Sequence, residues 1–467
     1  MRCILLSLSL SGVLGAGLFA QAVSDTPAVP LAKVDAVFSH WNSQTPGCAV
    51  GVSQGGKPVL AKSYGMADLE HDVPNTPETI FEAGSVSKQF TAAAVLLLAQ
   101  EGKLSLDDPA RKYIPELPDY GAPLTIRHML HHTSGLRDWG AVAGIAGWPR
   151  TSRTYTHAHV LDIVSRQRSL NFPSGTQWSY SNTGYNLAAV IVSRVSGKPF
   201  AEFSQERIFA PLGMTRTSWR DDFTRIVKGR AIAYSQDGAT YKTNMPFENV
   251  HGNGGLLTTV GDLLKWNENF VAPKVGDAAF LKIEQEPGKL NDGKAHEYAL
   301  GLTVGTYKGV PEVSHSGSTA GYRAHLTRYP RQHLSVAVLC NVSSGQATQA
   351  ALTVADMYLG SAIKSAAPAA PRPRDETPSF TPDAKDIAVY IGRYFSDEAE
   401  VTYEIAKNGE GLVIKRRPDS TIRLRATKKD EFSSAAGTVA FIRDASGAIT
   451  EMSLRGGRVF DLRFKRE

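Results

Sequence analysis

The apolar pattern is densest at Phe90-Thr91-Ala92-Ala93-Ala94-Val95-Leu96-Leu97-Leu98-Ala99, which leaves almost no polar face. A helix apolar all round belongs inside a domain, so this one is expected at the centre of a core, ending near Gly102. Ahead of it, residues 46–52 read as a buried strand, Gln54-Gly55-Gly56-Lys57 as a turn, and residues 58–61 as a returning strand. Behind it the helical period recurs at residues 125–130, at 184–196 as an amphipathic helix stopped by Gly197-Lys198-Pro199, at 201–209 and at 262–270. Strand patterns return at 300–304, 322–329 and 334–340, and residues 354–363 read as a closing helix. Strands at both ends with helices between them predict an α/β (α+β) domain. Its antiparallel sheet is built from both ends of the domain and flanked by helices.

After residue 365 the pattern changes. Residues 366–382 are rich in proline and alanine and read as a linker. From 383 to 467, short period-two runs such as Val401-Thr402-Tyr403-Glu404-Ile405 alternate with turn signals such as Asn408-Gly409 and Gly456-Gly457. That spacing predicts a small antiparallel all-β barrel. The main domain is then expected at 23–365. Residues 1–22 read as an export signal: Arg2, an apolar stretch, then Ala20-Gln21-Ala22 as the cleavage site. A periplasmic or secreted location follows as an expectation.

Composition changes this picture little. The chain has 467 residues, 42% hydrophobic and 21% charged, with a net charge of +6 and no basic block interleaved with aromatics. No nucleic-acid partner is expected, and no membrane span once the signal is removed. Three cysteines, one inside the signal, do not make a disulfide scaffold. No cofactor or metal is expected. His128, His131 and His132 lack the spacing and the carboxylate of a metal site, and Asn341-Val342-Ser343, which follows a buried strand, reads as a chance glycosylation sequon.

Candidate chemistry starts at Gly84-Ser85-Val86-Ser87-Lys88, just ahead of the apolar helix. Ser85 and Lys88 share one face of the first turn. Burial and the positive helix end disfavour an ammonium there, so the lysine can take the serine's proton. The bland alternative is a capping serine beside a surface lysine. A second S-x-x-K, Ser361 to Lys364, runs into the linker with no buried helix behind it and reads as a decoy. Downstream, Tyr180-Ser181-Asn182 offers a phenol whose pKa a neighbouring lysine would lower, and a carboxamide to hold lysine and substrate. His315-Ser316-Gly317-Ser318 lies on a strand pattern; Gly317 permits close approach, and Ser318 N–H with Ser85 N–H can form an oxyanion hole.

These three elements, in this order, resemble the penicillin-recognising serine hydrolases, most closely the class C β-lactamase and serine D-Ala-D-Ala carboxypeptidase group. The resemblance covers about residues 34–359 and includes His132-Thr133-Ser134-Gly135-Leu136 and Gly254-Gly255-Leu256. It implies a β-lactamase-like domain in which Ser85, Lys88 and Tyr180 are catalytic and Asn182, His315, Ser316, Gly317 and Ser318 bind substrate. It further implies antiparallel neighbouring strands that bring Cys48 and Cys340 together as a disulfide, and the C-terminal hairpins resemble a lipocalin-like barrel. His315-Ser316-Gly317 departs from the Lys-Thr-Gly of many β-lactamases. The expected activity is therefore acyl-enzyme hydrolysis at Ser85, of D-Ala-D-Ala carboxypeptidase or D-amino-acid peptidase type, or of an ester. The alternatives are a β-lactamase or a sensor that binds β-lactam or peptide without turnover. The partner is a small peptide, ester or β-lactam substrate, and no oligomeric state is implied.

Overall fold

The structure is a computed structural model that describes residues 29–364 and 387–467. The expected signal at 1–22 and linker at 366–382 lie outside the described residues. The main sheet has six antiparallel strands in the spatial order Thr303–Tyr307, Val310–Thr319, Tyr322–Tyr329, Leu334–Cys340, Cys48–Gln54 and Lys57–Tyr64. The first and last strand groups of the region thus meet in one sheet. Cys48 and Cys340 face each other in register across the junction and are joined by a disulfide.

The helix Ser87–Gln100 is buried from Ser87 to Leu98, as a helix without a polar face must be. It packs against Asn182–Ser196, which is buried almost continuously from Asn182 to Val192 and is amphipathic only in its last turns. That second helix starts two residues earlier than its pattern predicts. The reason is tertiary: Ser181 provides no side-chain cap, and Asp138 Oδ2 accepts from Asn182 N–H at 3.0 Å instead.

The expected helix at 201–209 is a short helix, Phe200–Ser204, followed by a π turn, Gln205–Phe209, and other boundaries move by one to three residues. Two further shifts have local reasons. The strand expected at 300–304 runs from Thr303 to Tyr307, because Gly301, at φ +77°, lies against the backbone of Lys88 and Gln89. The closing helix is Ala347–Leu359 rather than 354–363 and ends at Gly360; its first turn carries Thr348 and Gln349, which line the cleft and so break the apolar period.

The C-terminal residues form a closed barrel of eight antiparallel strands, from Gly392–Ser396 to Val459–Arg466. It is not an independent globule beside the sheet. Tyr394, Tyr403 and Phe464 of the barrel belong to the same apolar cluster as Phe90 and Trp139. Tyr403 Oη donates to Ile145 O at 2.8 Å, and the buried Arg137 pairs with Glu398 at 3.2 Å and donates to Asp461 O at 2.6 Å.

Candidate active site

Ser85 sits in a 3-10 turn, Gly84–Val86, that feeds the buried helix. Gly84 has φ +52°, and a Cβ there would stand 2.6 Å from Ser318 N. A Cβ on Gly317 would collide with Ala83 O. Two glycines thus let the Val310–Thr319 strand press directly against the serine turn, and Ser85 and Ser318 line the same cleft. Ser85 is not a cap, so the bland reading of this serine does not hold.

Lys88 is buried, and its Nζ has three neighbours: Ser85 Oγ at 3.1 Å, Asn182 Oδ1 at 3.0 Å and Asn253 O at 2.6 Å. Burial drives its pKa well below 10.5, and the charges of Arg458 and Arg150 push it the same way, against Asp138. A neutral amine has two N–H groups and one lone pair. The amide oxygen and the carbonyl can only accept, so they take both N–H groups. In the neutral form the lone pair would then face Ser85 Oγ, whose hydroxyl could donate to it.

Asn182 occupies the first turn of its helix. Its Nδ2 donates to Asp138 Oδ2 at 2.9 Å, which turns its oxygen toward Lys88. Asp138 in turn caps the helix Trp139–Ile145, its Oδ1 accepting from Gly140 N at 3.0 Å and Ala141 N at 3.3 Å.

Tyr180 lies with its ring centroid 4.8 Å from Lys88 Nζ, and His132 packs 4.2 Å from the same ring. Burial raises the Tyr180 pKa, against smaller opposing effects of the Ser85 hydroxyl and Arg458. The expectation of a lowered phenol pKa is therefore reversed, and Tyr180 keeps its proton at neutral pH. His132, of the histidine trio, accepts from Ser181 N–H at 3.2 Å on Nδ1 and serves as a wall for the tyrosine.

His315 is nearly enclosed. Its Nδ1 lies 2.6 Å from Ser316 O, to which it must donate, so Nε2 accepts from Tyr298 Oη at 2.9 Å. Burial, with Lys88 nearby, lowers its pKa to about 3. It is a neutral ring with both nitrogens engaged, so it has no free donor to offer the substrate it is expected to bind. Ser316 and Ser318 are exposed on the same strand.

The cleft holds about 890 Å³ and carries three arginines, Arg150, Arg323 and Arg458. Among the described residues its lining includes no aspartate or glutamate, and Glu297 lines the adjoining pocket that shares Trp178, Tyr180, His315 and Ser316 with it. Arg150 Nε donates to the buried Glu248 at 2.9 Å, and Arg458 is paired with Asp138. Arg323 donates only to the carbonyls of Ala320 and Tyr322 among the described residues. Three participants carried no motif: Asn253, which contributes a backbone carbonyl, and Asp138 and Arg458. Only Asp138 had a usable signal, an acidic residue immediately before an apolar turn, the mark of a helix start. The decoy motif behaves as its context predicts, with Ser361 exposed in a 3-10 turn away from the cleft.

Residues 19–358 match the Beta-lactamase family. Among similar proteins, penicillin-binding protein 4* of Bacillus subtilis is 30% identical over 312 residues, covering 62% of this chain and 66% of that protein. A D-aminopeptidase of Gluconobacter oxydans is 30% identical over 319 residues, covering 66% and 59%. The chain therefore spans less than two thirds of the length of these two relatives. In three dimensions it is similar to an octameric penicillin-binding protein homologue from Pyrococcus abyssi. The TM-score is 0.62 at 25% identity, over 93% of this chain and 98% of that one. The fold and the family match agree: the chain belongs to the Beta-lactamase family.

Proposed function

We propose that Ser85 is the nucleophile of an exported peptidase that works through an acyl-enzyme, with Lys88 as its general base. The observation that carries this reading is the environment of Lys88 Nζ, two acceptor-only partners and one hydroxyl. As Ser85 Oγ bonds to the substrate carbonyl carbon, its proton passes to Lys88. The carbonyl oxygen becomes an oxyanion facing Ser85 N–H and Ser318 N–H. Tyr180, still protonated, gives its proton to the leaving amine as the C–N bond breaks and recovers one from Lys88. Water then cleaves the ester by the reverse route.

The substrate class is drawn from the cleft walls. A row of arginines without a carboxylate favours a substrate that presents its own carboxylate, and Arg323 is the cation best placed to meet it. Glu297, which a free substrate ammonium could meet, lies in the adjoining pocket and not among the arginines. Relatives named D-aminopeptidase and penicillin-binding protein support D-configured peptides, and the arginines favour cleavage near a free C-terminus, a carboxypeptidase action. With His315 neutral, penicillins and cephalosporins are expected to turn over poorly.

Purified protein offered a D-Ala-D-Ala peptide, a D-amino-acid amide, a p-nitrophenyl ester and nitrocefin tests this reading. The peptide is expected to be cleaved and Ser85→Ala to be silent. Rapid nitrocefin turnover with the peptide untouched would make the chain a β-lactamase; one equivalent of product followed by arrest would make it a sensor.

A further inference from the structure

The turn between the last two barrel strands, Ile449–Gly456 and Val459–Arg466, reaches into the cleft and carries Arg458. Asn171 of the helix–sheet region clamps this turn. Its Nδ2 donates to Arg458 O at 3.0 Å, and its Oδ1 accepts from Phe460 N–H at 3.0 Å. Arg458 Nη1 donates to Asp138 Oδ2 at 2.8 Å, and the guanidinium stands 4.7 Å from the Tyr180 ring centroid. Asp138 Oδ2 also receives Asn182 Nδ2 at 2.9 Å, and Asn182 Oδ1 receives Lys88 Nζ at 3.0 Å. A continuous run of polar contacts thus leads from the barrel to the base beside Ser85.

We infer that Arg458 is a positioning residue: by holding Asp138 ionised and in place, it fixes the Asn182 amide with its oxygen on Lys88 and so keeps the lysine lone pair on Ser85. The inference rests on the acyl-enzyme reading above. An amide side chain can present either its oxygen or its nitrogen to Lys88. An ionised Asp138 only accepts and therefore demands the nitrogen. If Asp138 were protonated or turned aside, the amide would be free to flip. It would then offer N–H to the lysine and compete with Ser85 for the lone pair.

Asp138 is 5% exposed, and a buried carboxylate without a counter-charge takes up a proton. Burial does push its pKa up, but the Arg458 charge, the Asn182 backbone N–H and the Arg150 charge together bring it below the ordinary value. Lys88 faces the same cations, and for Lys88 they work with burial to lower its pKa. The other titratable neighbours add no charge at neutral pH. Burial keeps Tyr180 and Tyr185 protonated and His132 and His315 neutral. Arg458 therefore acts in one direction on both groups: without it, Asp138 and Lys88 each titrate at higher pH. Arg150 remains in every variant, tied to Glu248.

The test uses the full chain and a fluorophosphonate. Ser85 Oγ bonds to phosphorus, fluoride leaves, and the hydroxyl proton goes to Lys88. The second-order labelling rate is followed against pH for wild type, Arg458→Met, Arg458→Lys, Asp138→Asn and the Arg458→Met/Asp138→Asn double variant, with the labelled residue mapped by mass spectrometry. Arg458→Met is expected to slow labelling by about ten- to a hundredfold and to move the acid limb of the profile to higher pH. Arg458→Lys should restore much of the rate. Asp138→Asn should also slow labelling but move the limb the other way, because Asp138 raises the Lys88 pKa. The double variant should be little slower than the slower single, as expected when two residues act through one contact.

An Arg458→Met protein that labels at the wild-type rate with the wild-type profile would reduce Arg458 to a docking contact and overturn the inference. So would losses that simply multiply in the double variant. Should Arg458→Met fail to fold, Asp138→Asn decides, since undiminished labelling there refutes the relay. Wild-type label on a residue other than Ser85 would overturn the acyl-enzyme reading itself, whereas label on Ser85 with indifferent variants overturns only the role of Arg458.

Discussion

The helix–sheet region and the barrel face the cleft with different means. The first presents short groups fixed by backbone: a serine on a glycine-led turn, a lysine on the first turn of a buried helix, and the Asn253 carbonyl. The barrel presents one long side chain, 42% exposed, on a hairpin held by Asn171. The difference separates two tasks. The chemistry needs groups whose pKa is set by burial, and only the core can bury them. The charge beside Asp138 comes from a barrel hairpin, and the barrel's own aromatic residues, Tyr394, Tyr403 and Phe464 among them, join the main apolar cluster.

The largest expected effect is on the core side. Lys88→Met should slow acylation by about a hundredfold to ten-thousandfold without moving the thermal midpoint downward, because it removes a desolvated amine. Near-normal acylation in a stopped-flow burst would show that the base lies elsewhere. In the intact protein the rate should rise with pH through the depressed lysine pKa and level off before the ordinary lysine range, since only the neutral amine accepts the proton.

Removing the barrel is the next largest. Its alternating strands suggest that a chain ending near residue 371 would fold alone, but the shared apolar cluster and the buried Arg137–Glu398 pair argue otherwise. Such a chain is expected to melt at lower temperature and to label at least as slowly as Arg458→Met. A stable truncated protein with full labelling would make the barrel a passenger.

The disulfide divides the regions in another way. It ties Cys48 to Cys340 within the main sheet, so its loss should act on stability and leave chemistry alone. Cys48→Ser with Cys340→Ser is expected to lower unfolding stability by about 2–5 kcal/mol, with labelling of Ser85 unchanged in the folded protein. The smallest effect belongs to Ser361→Ala, which should alter neither labelling nor melting. Label lost with Ser361 would reverse the choice between the two S-x-x-K motifs.

What the sequence made legible follows the same division. Ser85 and Lys88 are three residues apart, Tyr180 and Asn182 two, and the His315 to Ser318 run is contiguous, so local spacing alone puts each set on one element. The strands Tyr322–Tyr329 and Leu334–Cys340 fall where their patterns put them, because each is buried along its length apart from Arg323. Arg458 meets Asp138 across 320 residues of chain, and Asn253 takes part through its backbone, which no residue type encodes. The early start of the helix Asn182–Ser196 was hidden for the same reason, since its cap is Asp138 from another segment. Burial also reversed the expected direction for Tyr180: depth, which no motif reports, outweighed the Ser85 hydroxyl and the Arg458 charge.

The central claim is that Lys88 is a neutral amine poised on Ser85, and its titration can be observed directly. In full-length protein carrying 13C-labelled lysine, the Lys88 side-chain resonance is identified by its loss in Lys88→Met and followed by NMR from neutral to alkaline pH. The account predicts that Lys88 is already unprotonated where the surface lysines still carry their charge, titrating far below 10.5. A Lys88 that titrates together with the surface lysines would contradict it.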